Sequence, residues 1–253
     1  MALMRLQKFL SAPGFCSRRN GEAHIRRGGV TVNDRTVTAL GTKVDPDRDT
    51  VAVDGQRVTL HEKSVYILLN KPTGYVTSCR HPGERVVLDL VSVPQRIFPV
   101  GRLDKDSRGL LLLTNDGRIH HRLAHPAFDH EKEYEVTVAA PIADGALMKL
   151  ARGMPLMGTR TRPAAIRRLT ARRFRIVLQE GRNRQIRRMV GKLGHKVIDL
   201  KRIRLANLSL GRLAEGTWRH LSQAEVATLL NRTLPAAEPD APSQKPPTQN
   251  RPD

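Results

Sequence analysis

The sequence predicts an α+β protein with a small N-terminal module and a larger domain, built on a mixed, mainly antiparallel β-sheet with flanking helices. Three observations support this prediction. Short apolar runs bounded by turn residues recur from Val65 onward, as in buried strands. Helix-periodic segments interrupt these runs, and the first 60 residues carry helices and a charge pattern of their own. A chain of 253 residues is long enough for both units.

The N-terminal module begins with a short amphipathic helix over about residues 5–10, in which Leu6, Phe9 and Leu10 share one face. A second helix follows over about residues 17–27, with Ser17 as its N-cap and Gly28 at its end. Small strands complete the module. Its helices concentrate positive charge, since Glu22 is the single acid before residue 33. The basic residues are Arg5, Lys8, Arg18, Arg19, Arg26 and Arg27.

The larger domain is expected to alternate strands with helices. Strands are predicted over residues 65–69, 97–100, 110–113, 133–138, 174–178 and 197–200, and helices over 119–123, 144–152, 185–193 and 222–231. Ser222 and Glu225 form a capping box for the last helix. We therefore place domains at 4–60 and 64–232, joined by a polar hinge over about 54–64. The Pro-rich segment 233–253 is predicted to be a disordered tail.

The charge of the chain points to a polyanionic partner. Lys and Arg number 44 against 24 Asp and Glu, which gives a net charge of +20 and a pI of about 11.1. RNA, DNA and an anionic membrane all fit this charge. No apolar stretch approaches the ~20 residues that span a bilayer, so we expect no membrane association and a cytoplasmic, monomeric protein.

The cysteine and histidine patterns predict no metal site. Cys16 and Cys79 are far apart and form neither a zinc motif nor a disulfide framework. The cluster of His120, His121 and His125 lacks the spacing of a helical zinc site and is interpreted as helix surface.

The most informative segment is Gly-Arg-Leu-Asp-Lys-Asp-Ser-Arg-Gly over residues 101–109, followed by Leu-Leu-Leu-Leu-Thr-Asn-Asp-Gly over 110–117. It places carboxylates and guanidiniums in a polar turn between two buried strands. Neighbouring cations favour the ionised form of a carboxylate, which suits a nucleophile. On Arg102, Leu103 and Asp104 alone, a salt-bridged turn is the better explanation of the pattern.

The full 17-residue string closely resembles the active-site motif of RNA pseudouridine synthases, in the branch that carries an N-terminal S4 RNA-binding domain. The N-terminal helices, with Cys-Ser-Arg-Arg at 16–19 and Ile-Arg-Arg-Gly-Gly at 25–29, resemble the S4 module. The resemblance implies uridine isomerisation in a flipped-out nucleotide, without metal or organic cofactor. It implies that Asp104 starts the reaction, with Asp106 as the internal competitor, and that Arg102 fills the gap left by the flipped base.

Two further motifs complete the resemblance. Lys-Glu-Tyr at 132–134 implies that Tyr134 stacks on the uracil and can take part in proton transfer from C5. Gly-Arg-Asn-Arg-Gln-Ile-Arg-Arg at 181–188 implies a basic residue paired with Asp104. Alignment favours Arg182, and Arg184 is a close alternative that spacing does not exclude. Lys-Pro-Thr-Gly at 71–74 implies that Lys71 and Gly74 brace the active-site loop.

RNA contacts are expected along these motifs and on the N-terminal helices. In the larger domain the expected contact residues are Arg102, Leu103, Lys105, Arg184, Gln185, Ile186, Arg187 and Arg188. The stretch 160–204 carries sixteen Lys or Arg against Glu180 and Asp199, a field that would steer RNA to the cleft.

Within the family, the motifs most resemble the type F branch, which acts on large-subunit ribosomal RNA. That branch also implies a tyrosine tRNA anticodon loop as a second substrate. The alternatives are a sibling enzyme for another ribosomal uridine and a non-catalytic ribosome-assembly factor. The joint presence of Asp104, Tyr134 and Arg182 distinguishes an enzyme from a pure RNA clamp.

Overall fold

The computed structural model describes residues 3–12, 14–59, 63–124 and 130–233. Its helices are α1 (Leu6–Ser11), α2 (Arg18–Arg26), α3 (Gly117–Ala124), α4 (Asp144–Ala151), α5 (Gln185–Lys192) and α6 (Gln223–Thr233). Its strands are β1 (Met4–Arg5), β2 (Val30–Val32), β3 (Arg35–Thr36), β4 (Lys43–Val44), β5 (Val51–Val53), β6 (Gln56–Arg57), β7 (Tyr66–Lys71), β8 (Phe98–Val100), β9 (Arg108–Thr114), β10 (Lys132–Val138), β11 (Pro155–Leu156), β12 (Thr159–Arg160), β13 (Ala165–Thr170), β14 (Arg173–Leu178), β15 (Val197–Leu205), β16 (Leu208–Ser209) and β17 (Trp218–His220).

The N-terminal unit packs α1 and α2 with a small antiparallel sheet in the order β3-β2-β5-β6. The predicted apolar face of α1 is confirmed, since Leu6 and Leu10 are fully buried and Phe9 is nearly so. The predicted N-cap of α2 is also confirmed, because the Ser17 hydroxyl accepts a hydrogen bond from the Asn20 amide at 3.1 Å. Basic side chains of both helices stay on the outside.

The predicted hinge begins too early in the sequence. Asp54 and Gly55 both have positive φ, at 49° and 81°, and form the two-residue turn of a hairpin between β5 and β6. Val58, which follows, is 6% exposed and belongs to the core of the N-terminal unit. Residues 54–58 are therefore part of the first unit, and residues 60–62 of the expected linker lie outside the described residues.

The larger unit is built on one sheet in the order β13-β14-β10-β15-β9-β7-β17. Two further strands join it, since β8 pairs with β9 and β16 pairs with β15. All pairs in this sheet are antiparallel except β9 with β15, which are parallel. The predicted mixed, mainly antiparallel sheet is thus confirmed. The parallel pair joins the two halves of the sheet, and the polar turn of residues 101–107 leads directly into it.

Strand β9 contains four consecutive leucines because both of its faces are buried against other parts of the domain. Leu110 and Leu112 pack in a cluster with α3 and α6 on one side. Leu111 and Leu113 pack in a cluster on the other side, which also holds Leu103 from the polar turn. All four leucines are fully buried. The turn is therefore attached to a strand that is buried at every position from Gly109 to Thr114.

Gly109 allows β9 and β15 to approach each other. It has a φ of 103°, and a Cβ atom built there would lie 2.3 Å from the carbonyl oxygen of Arg202. Real Cβ atoms do not approach an oxygen so closely, so only glycine fits this position. The residue also pairs in register with both neighbours, Lys71 on β7 and Arg202 on β15.

Three strands of the main sheet were not predicted from the sequence. They are β13 and β17 at its two edges and the two-residue strand β16, which pairs with β15. In β13 exposed and half-buried residues alternate without a buried position, so the hydrophobic contrast that identifies a strand is missing. The predicted helices and remaining strands are present with shifted ends, and β15 continues five residues beyond its predicted end, to Leu205.

The C-terminal helix carries the predicted capping box. The Ser222 amide donates to the Glu225 carboxylate at 2.8 Å, and the Glu225 amide donates to the Ser222 hydroxyl at 3.2 Å. Helix α6 extends to Thr233, so the first residue of the predicted tail is helical, and residues 234–253 lie outside the described residues. Among the described helices, none combines the length and the apolar character that a membrane crossing needs.

Candidate active site

Asp104 lies in the turn of residues 101–107 between β8 and β9. Its neighbours Leu103 and Ser107 point inward and are 7% and 1% exposed. The side chain of Asp104 itself is one-third exposed, at 33%. The turn thus anchors itself through these two residues and presents the Asp104 carboxylate at the surface.

All five carbonyl groups from Leu103 to Ser107 accept a hydrogen bond. The donors are Thr77 Oγ1 to residue 103 (2.7 Å), Lys71 Nζ to residue 104 (3.2 Å), the Gly74 amide to residue 105 (2.8 Å), Arg187 Nη2 to residue 106 (2.8 Å) and Lys71 Nζ to residue 107 (2.7 Å). A polar turn of this kind normally exchanges its carbonyl bonds with water. Here side chains and backbone from three other segments fix it, which preorganises the position of Asp104.

Lys71 is the main support of the turn. Its side chain is fully buried at the end of β7, and its ammonium group also donates to the Pro72 carbonyl at 3.0 Å. Three carbonyl oxygens thus meet the three N–H bonds of the ammonium. Burial lowers the pKa of Lys71 to about 8, although the nearby carboxylates of Asp106 and Asp104 raise it. The predicted bracing by Lys71 and Gly74 is confirmed.

Arg184 faces the turn from the start of α5. It is the N-cap residue of that helix and lies in the left-handed region, with φ 51° and ψ 35°. A non-glycine residue there is uncommon, and such conformations concentrate at functional sites. The backbone conformation directs the guanidinium at two carboxylates. It binds Asp106 through two hydrogen bonds, at 3.0 and 2.8 Å, and lies 3.7 Å from the Asp104 carboxylate.

Asp106 is held from two sides. Besides Arg184, the Nε of Arg187 lies 3.4 Å from its carboxylate, while the same guanidinium binds the Asp106 carbonyl. The hydrogen bond from Arg184, supported by the charges of Arg187 and Arg184, lowers the pKa of Asp106 against the opposing effect of burial. Asp106 thus forms ion pairs with Arg184 and Arg187, whereas the Asp104 carboxylate lies farther from Arg184.

The favoured expectation that Arg182 pairs with Asp104 is wrong. The Arg182 guanidinium binds Glu180 and the backbone of the β11–β12 hairpin, donating to the carbonyls of Leu156, Thr159 and Arg160 at 3.1, 3.3 and 2.6 Å. The alternative, Arg184, occupies the place next to Asp104. Sequence spacing did not separate the two because the choice depends on the left-handed backbone at residue 184.

Glu180 and Gln185 fix the turn that carries both arginines. The Gln185 amide side chain donates to Glu180 at 2.7 Å and accepts from the Arg182 amide at 3.0 Å. Glu180 also accepts from the Arg162 amide at 3.1 Å. Because this network ties residues 180–185 together, Arg184 starts α5 in a fixed position.

Tyr134 lies at the centre of β10 on the face that α5 covers. It is half-buried and packs against two apolar clusters, one containing Ile186 and the other containing Leu103. Leu103 directly precedes Asp104 in the chain. Tyr134 therefore packs against the same apolar cluster that anchors the turn carrying Asp104.

Three residues expected to contact RNA are buried in the core. Leu103 is 7% exposed, and Gln185 and Ile186 are each 4% exposed. Their side chains fasten the active-site turns from behind, and the structure does not place them on the surface where the RNA contact was expected. Arg187 is also turned inward, with a side chain 13% exposed and directed at Asp106 and Ser107. In each case the motif residue stabilises the site instead of lining its surface.

The other expected RNA contacts lie on the surface. In the larger unit these are Arg102, Lys105, Arg184 and Arg188, of which Lys105 pairs with Glu84 at 2.6 Å and Arg184 with Asp106 at 2.8 Å. In the N-terminal unit the exposed residues are Arg5, Lys8, Arg18, Arg19, Arg26 and Arg27. Arg27 forms an ion pair with Asp54, and within the described chain the other five make no ion pair. Those five cations stay available to phosphate groups.

Several functional contacts had no signal in the sequence. Thr77 both donates to and accepts from the backbone of Leu103, and Glu180 organises the arginine turn, but neither belongs to a recognisable charge or apolar pattern. Arg202, expected to contribute to the steering field, is 2% exposed and donates to the Leu110 carbonyl.

Among the described residues no group of His, Cys, Asp and Glu has the arrangement of a metal site, and His125 lies outside them.

The fold and site define a class: a two-part, strongly basic protein with an arginine-flanked carboxylate on an immobilised turn. Comparison with known families assigns it more closely. Residues 65–192 match the RNA pseudouridylate synthase family, and residues 4–49 match the S4 domain. The chain belongs to the RNA pseudouridine synthase family and is an enzyme with RNA as its substrate.

Individual relatives cover most of the chain. The dual-specificity RNA pseudouridine synthase RluF of Escherichia coli K12 is 40% identical, over 89% of this chain and 78% of RluF. The ribosomal large subunit pseudouridine synthase B of Bacillus subtilis is 42% identical, over 89% of this chain and 95% of that protein. A crystal structure of a pseudouridylate synthase is similar at a TM-score of 0.66 and 32% identity, covering 89% of this chain and 99% of that one.

Proposed function

We propose that this enzyme isomerises one uridine of 23S ribosomal RNA to pseudouridine and that Asp104 begins the reaction. The observation that carries the proposal is the position of Asp104. Its carboxylate is accessible, and the guanidinium of Arg184 lies 3.7 Å away. The backbone of residues 103–105 is fixed by hydrogen bonds from Thr77, Lys71 and Gly74. A nucleophile gains most when its position is set before the substrate arrives.

The reaction needs no outside reagent. In one route the Asp104 carboxylate attacks ribose C1′ as the C1′–N1 bond breaks and its electron pair moves to the uracil ring. The uracil then turns, its C5 bonds to C1′ while the carboxylate leaves, C5 loses its proton and N1 is protonated. In the other route Asp104 begins by removing the ribose C2′ proton while the C1′–N1 bond breaks and a C1′=C2′ double bond forms; C5 of the turned uracil then bonds to C1′ as C2′ takes the proton back. Both routes start from an ionised Asp104, beside which Arg184 supplies positive charge.

Surrounding side chains have complementary tasks in this proposal. The target nucleotide leaves its stack before Asp104 can reach it, and Arg102, exposed two residues earlier, fills the vacated space. Tyr134 provides an aromatic surface on which the turned uracil stacks, and its hydroxyl takes part in proton transfer from C5. Its packing supports this role, because Tyr134 lies against the same apolar cluster that holds Leu103, the residue before Asp104.

The relatives support large-subunit RNA as the substrate. The Bacillus subtilis relative is named for the large ribosomal subunit, and RluF is named for dual specificity. The two are 42% and 40% identical to this chain, so overall similarity does not choose between the branches. A second substrate in the tyrosine tRNA anticodon loop accords with the type F resemblance. Another ribosomal uridine is the remaining candidate.

The role of Asp104 is tested by Asp104→Asn, which keeps the shape of the side chain and removes its charge. We expect pseudouridine formation to fall at least about 1,000-fold because the nucleophile is lost, while RNA affinity stays within about threefold. Asp144→Asn is the matched control, since Asp144, at the start of α4, is 81% exposed and pairs with Arg168 of β13. Unchanged activity in Asp104→Asn would refute the proposal that Asp104 begins the reaction.

The substrate is tested by mapping pseudouridines in RNA from cells that lack this protein, with and without the wild-type gene restored. We expect a single large-subunit site to disappear and to return only with the active protein. Loss of a small-subunit site would overturn the large-subunit proposal. A simultaneous loss in the tyrosine tRNA anticodon loop would identify the second substrate.

A further inference from the structure

A small hairpin beside the active-site turn ends in an exposed methionine. Strands β11 and β12 pair Leu156 with Thr159, leaving Met157 and Gly158 as its two-residue turn. Leu156 is buried in the domain core, whereas Met157 is 58% exposed. The hairpin therefore has an anchored inner side and an apolar tip.

The fold alone does not explain a methionine at this tip. Met157 has a φ of 52° and Gly158 a φ of 82°, so both turn residues are in the left-handed region. Turns of this type favour Asn-Gly or Asp-Gly because a bulky side chain is strained there. Strain of this kind costs roughly 1 kcal/mol or more. A residue that is unfavourable for the backbone and exposed to solvent is a marker of function.

The hairpin is fixed to the turn that carries Arg184. Arg182 donates to three carbonyl groups of the hairpin and to the Thr159 hydroxyl at 2.7 Å. From the other side, Lys192 of α5 donates to the Pro155 carbonyl at 3.0 Å. Since Arg184 follows Arg182 by two residues, the hairpin tip and the Arg184–Asp104 contact share one rigid support.

The surroundings of the tip are basic. Arg160 and Arg162 follow it on the chain, and Arg188 and Lys192 project from α5, all four exposed. The nearest acid in this network, Glu180, is engaged by Arg182 and Gln185. An apolar tip among cations suits a polyanion that also carries flat apolar surfaces, which describes the unpaired bases of an RNA loop.

We propose that the β11–β12 hairpin is an RNA-contacting element in which Met157 packs against an unpaired base next to the target uridine. The cations around it bind the neighbouring phosphates, and the methionine thioether lies on the base, a contact that sulfur makes readily with aromatic rings. This gives Arg182 a positioning task, since its side chain fixes the hairpin to the active-site turn. The proposal rests on the RNA-modifying activity and not on which RNA is modified.

The test compares Met157→Ala with Met148→Ala, a matched control because Met148 is 54% exposed on α4. The substrate is deproteinised total RNA from cells lacking the protein, which contains every candidate RNA. We expect Met157→Ala to lower kcat/KM about 3- to 10-fold through KM, as loss of one base contact predicts. Met148→Ala should stay within twofold of the wild type.

Met157→Asn separates an RNA contact from a structural role. Asparagine suits the left-handed turn better than methionine, so the melting temperature should rise, whereas kcat/KM should fall as in Met157→Ala. If both Met157 variants keep wild-type kcat/KM on RNA that the wild type modifies, the hairpin proposal is wrong. If the wild type modifies only a different RNA from the proposed one, the large-subunit assignment fails and the hairpin comparison still stands.

Discussion

The guanidinium of Arg184 binds both oxygens of the Asp106 carboxylate, at 3.0 and 2.8 Å, while it lies 3.7 Å from Asp104. Two aspartates two residues apart therefore share one arginine unequally. Asp106 takes the two-point hydrogen bond that fixes the arginine plane, and Asp104 retains a carboxylate free to meet substrate. Asp106 thus fixes the position of Arg184 next to Asp104.

Replacing Asp106 by asparagine should release Arg184. The variant Asp106→Asn removes the charge that holds the guanidinium, so we expect kcat to fall roughly 10-fold through misplacement of a catalytic-site group. The Kd for RNA should change less than about threefold, because Asp106 adds no positive charge to the RNA surface. Single-turnover rates and RNA binding measured on the same preparations check both values.

Glu84→Gln is the matched control for Asp106→Asn. Glu84 forms an exposed ion pair with Lys105 of the same turn, and exposed pairs contribute little. Its rate should remain within about twofold of the wild type. Equal effects of the two variants would mean that any charge change near the turn matters and would refute the positioning role of Asp106.

Lys71→Met should lower the rate of pseudouridine formation and remove the contribution of Lys71 to the pH dependence of the unfolding free energy. The variant keeps the length of the side chain but leaves the carbonyls of Asp104 and Ser107 without the ammonium donor. We expect the pseudouridine rate to fall about 100-fold, since the turn loses its main support. Rates measured at pH 7 with saturating RNA check this expectation.

The pKa of Lys71 determines in which direction pH changes the difference in unfolding free energy between the wild type and Lys71→Met. In the folded chain it is lowered to about 8 from 10.5, so between these values the unfolded chain binds a proton that the folded chain has lost. The unfolding free energy of the wild type, relative to Lys71→Met, should therefore rise from pH 8 to 10.5. The rise is at most about 1.4 kcal/mol per pH unit. Urea denaturation at pH 7 and pH 10 measures it, and a constant difference would contradict it.

Gly109→Ala should break the junction of β9 and β15. The added Cβ would lie 2.3 Å from the Arg202 carbonyl oxygen, at a φ of 103° that alanine disfavours. We expect a loss of about 3 kcal/mol or more in unfolding free energy. Gly145→Ala is the control, because a Cβ in α4 meets nothing within 4 Å and alanine favours helix. Thermal unfolding should show a loss for the first and a small gain for the second.

Glu225→Gln should weaken α6 only above acidic pH. Hydrogen bonds from Arg219, reinforced by the Ser222 amide, lower the pKa of Glu225 from 4.5 to about 2 against the effect of burial. Because the folded-state pKa is lowered, the stabilisation exists above about pH 4.5 and is lost as the pH falls towards 2. At neutral pH the variant should lose on the order of 1 kcal/mol. Denaturation at pH 7 and pH 3 should give a smaller difference at pH 3.

Sequence patterns predicted most elements because their causes are local. The apolar face of α1, the Ser17 cap and the capping box at Ser222 follow from side chains within one or two turns, and all are confirmed. The edge strands β13 and β17 were missed because their pairing energy comes from partners distant in the chain. Periodicity does not record such partners.

For the site, the sequence by itself determined the set of motifs: the turn with Asp104, the strand with Tyr134, the basic turn before α5 and the Lys-Pro-Thr-Gly brace. Only the tertiary structure decided which member of each motif performs which task. It placed Arg184 next to Asp104, turned Arg182 to the hairpin and buried Gln185 and Ile186 in the core. The reason is physical: Arg184 begins α5 in a left-handed backbone conformation, the other placements depend on partners distant in the chain, and motif spacing records neither.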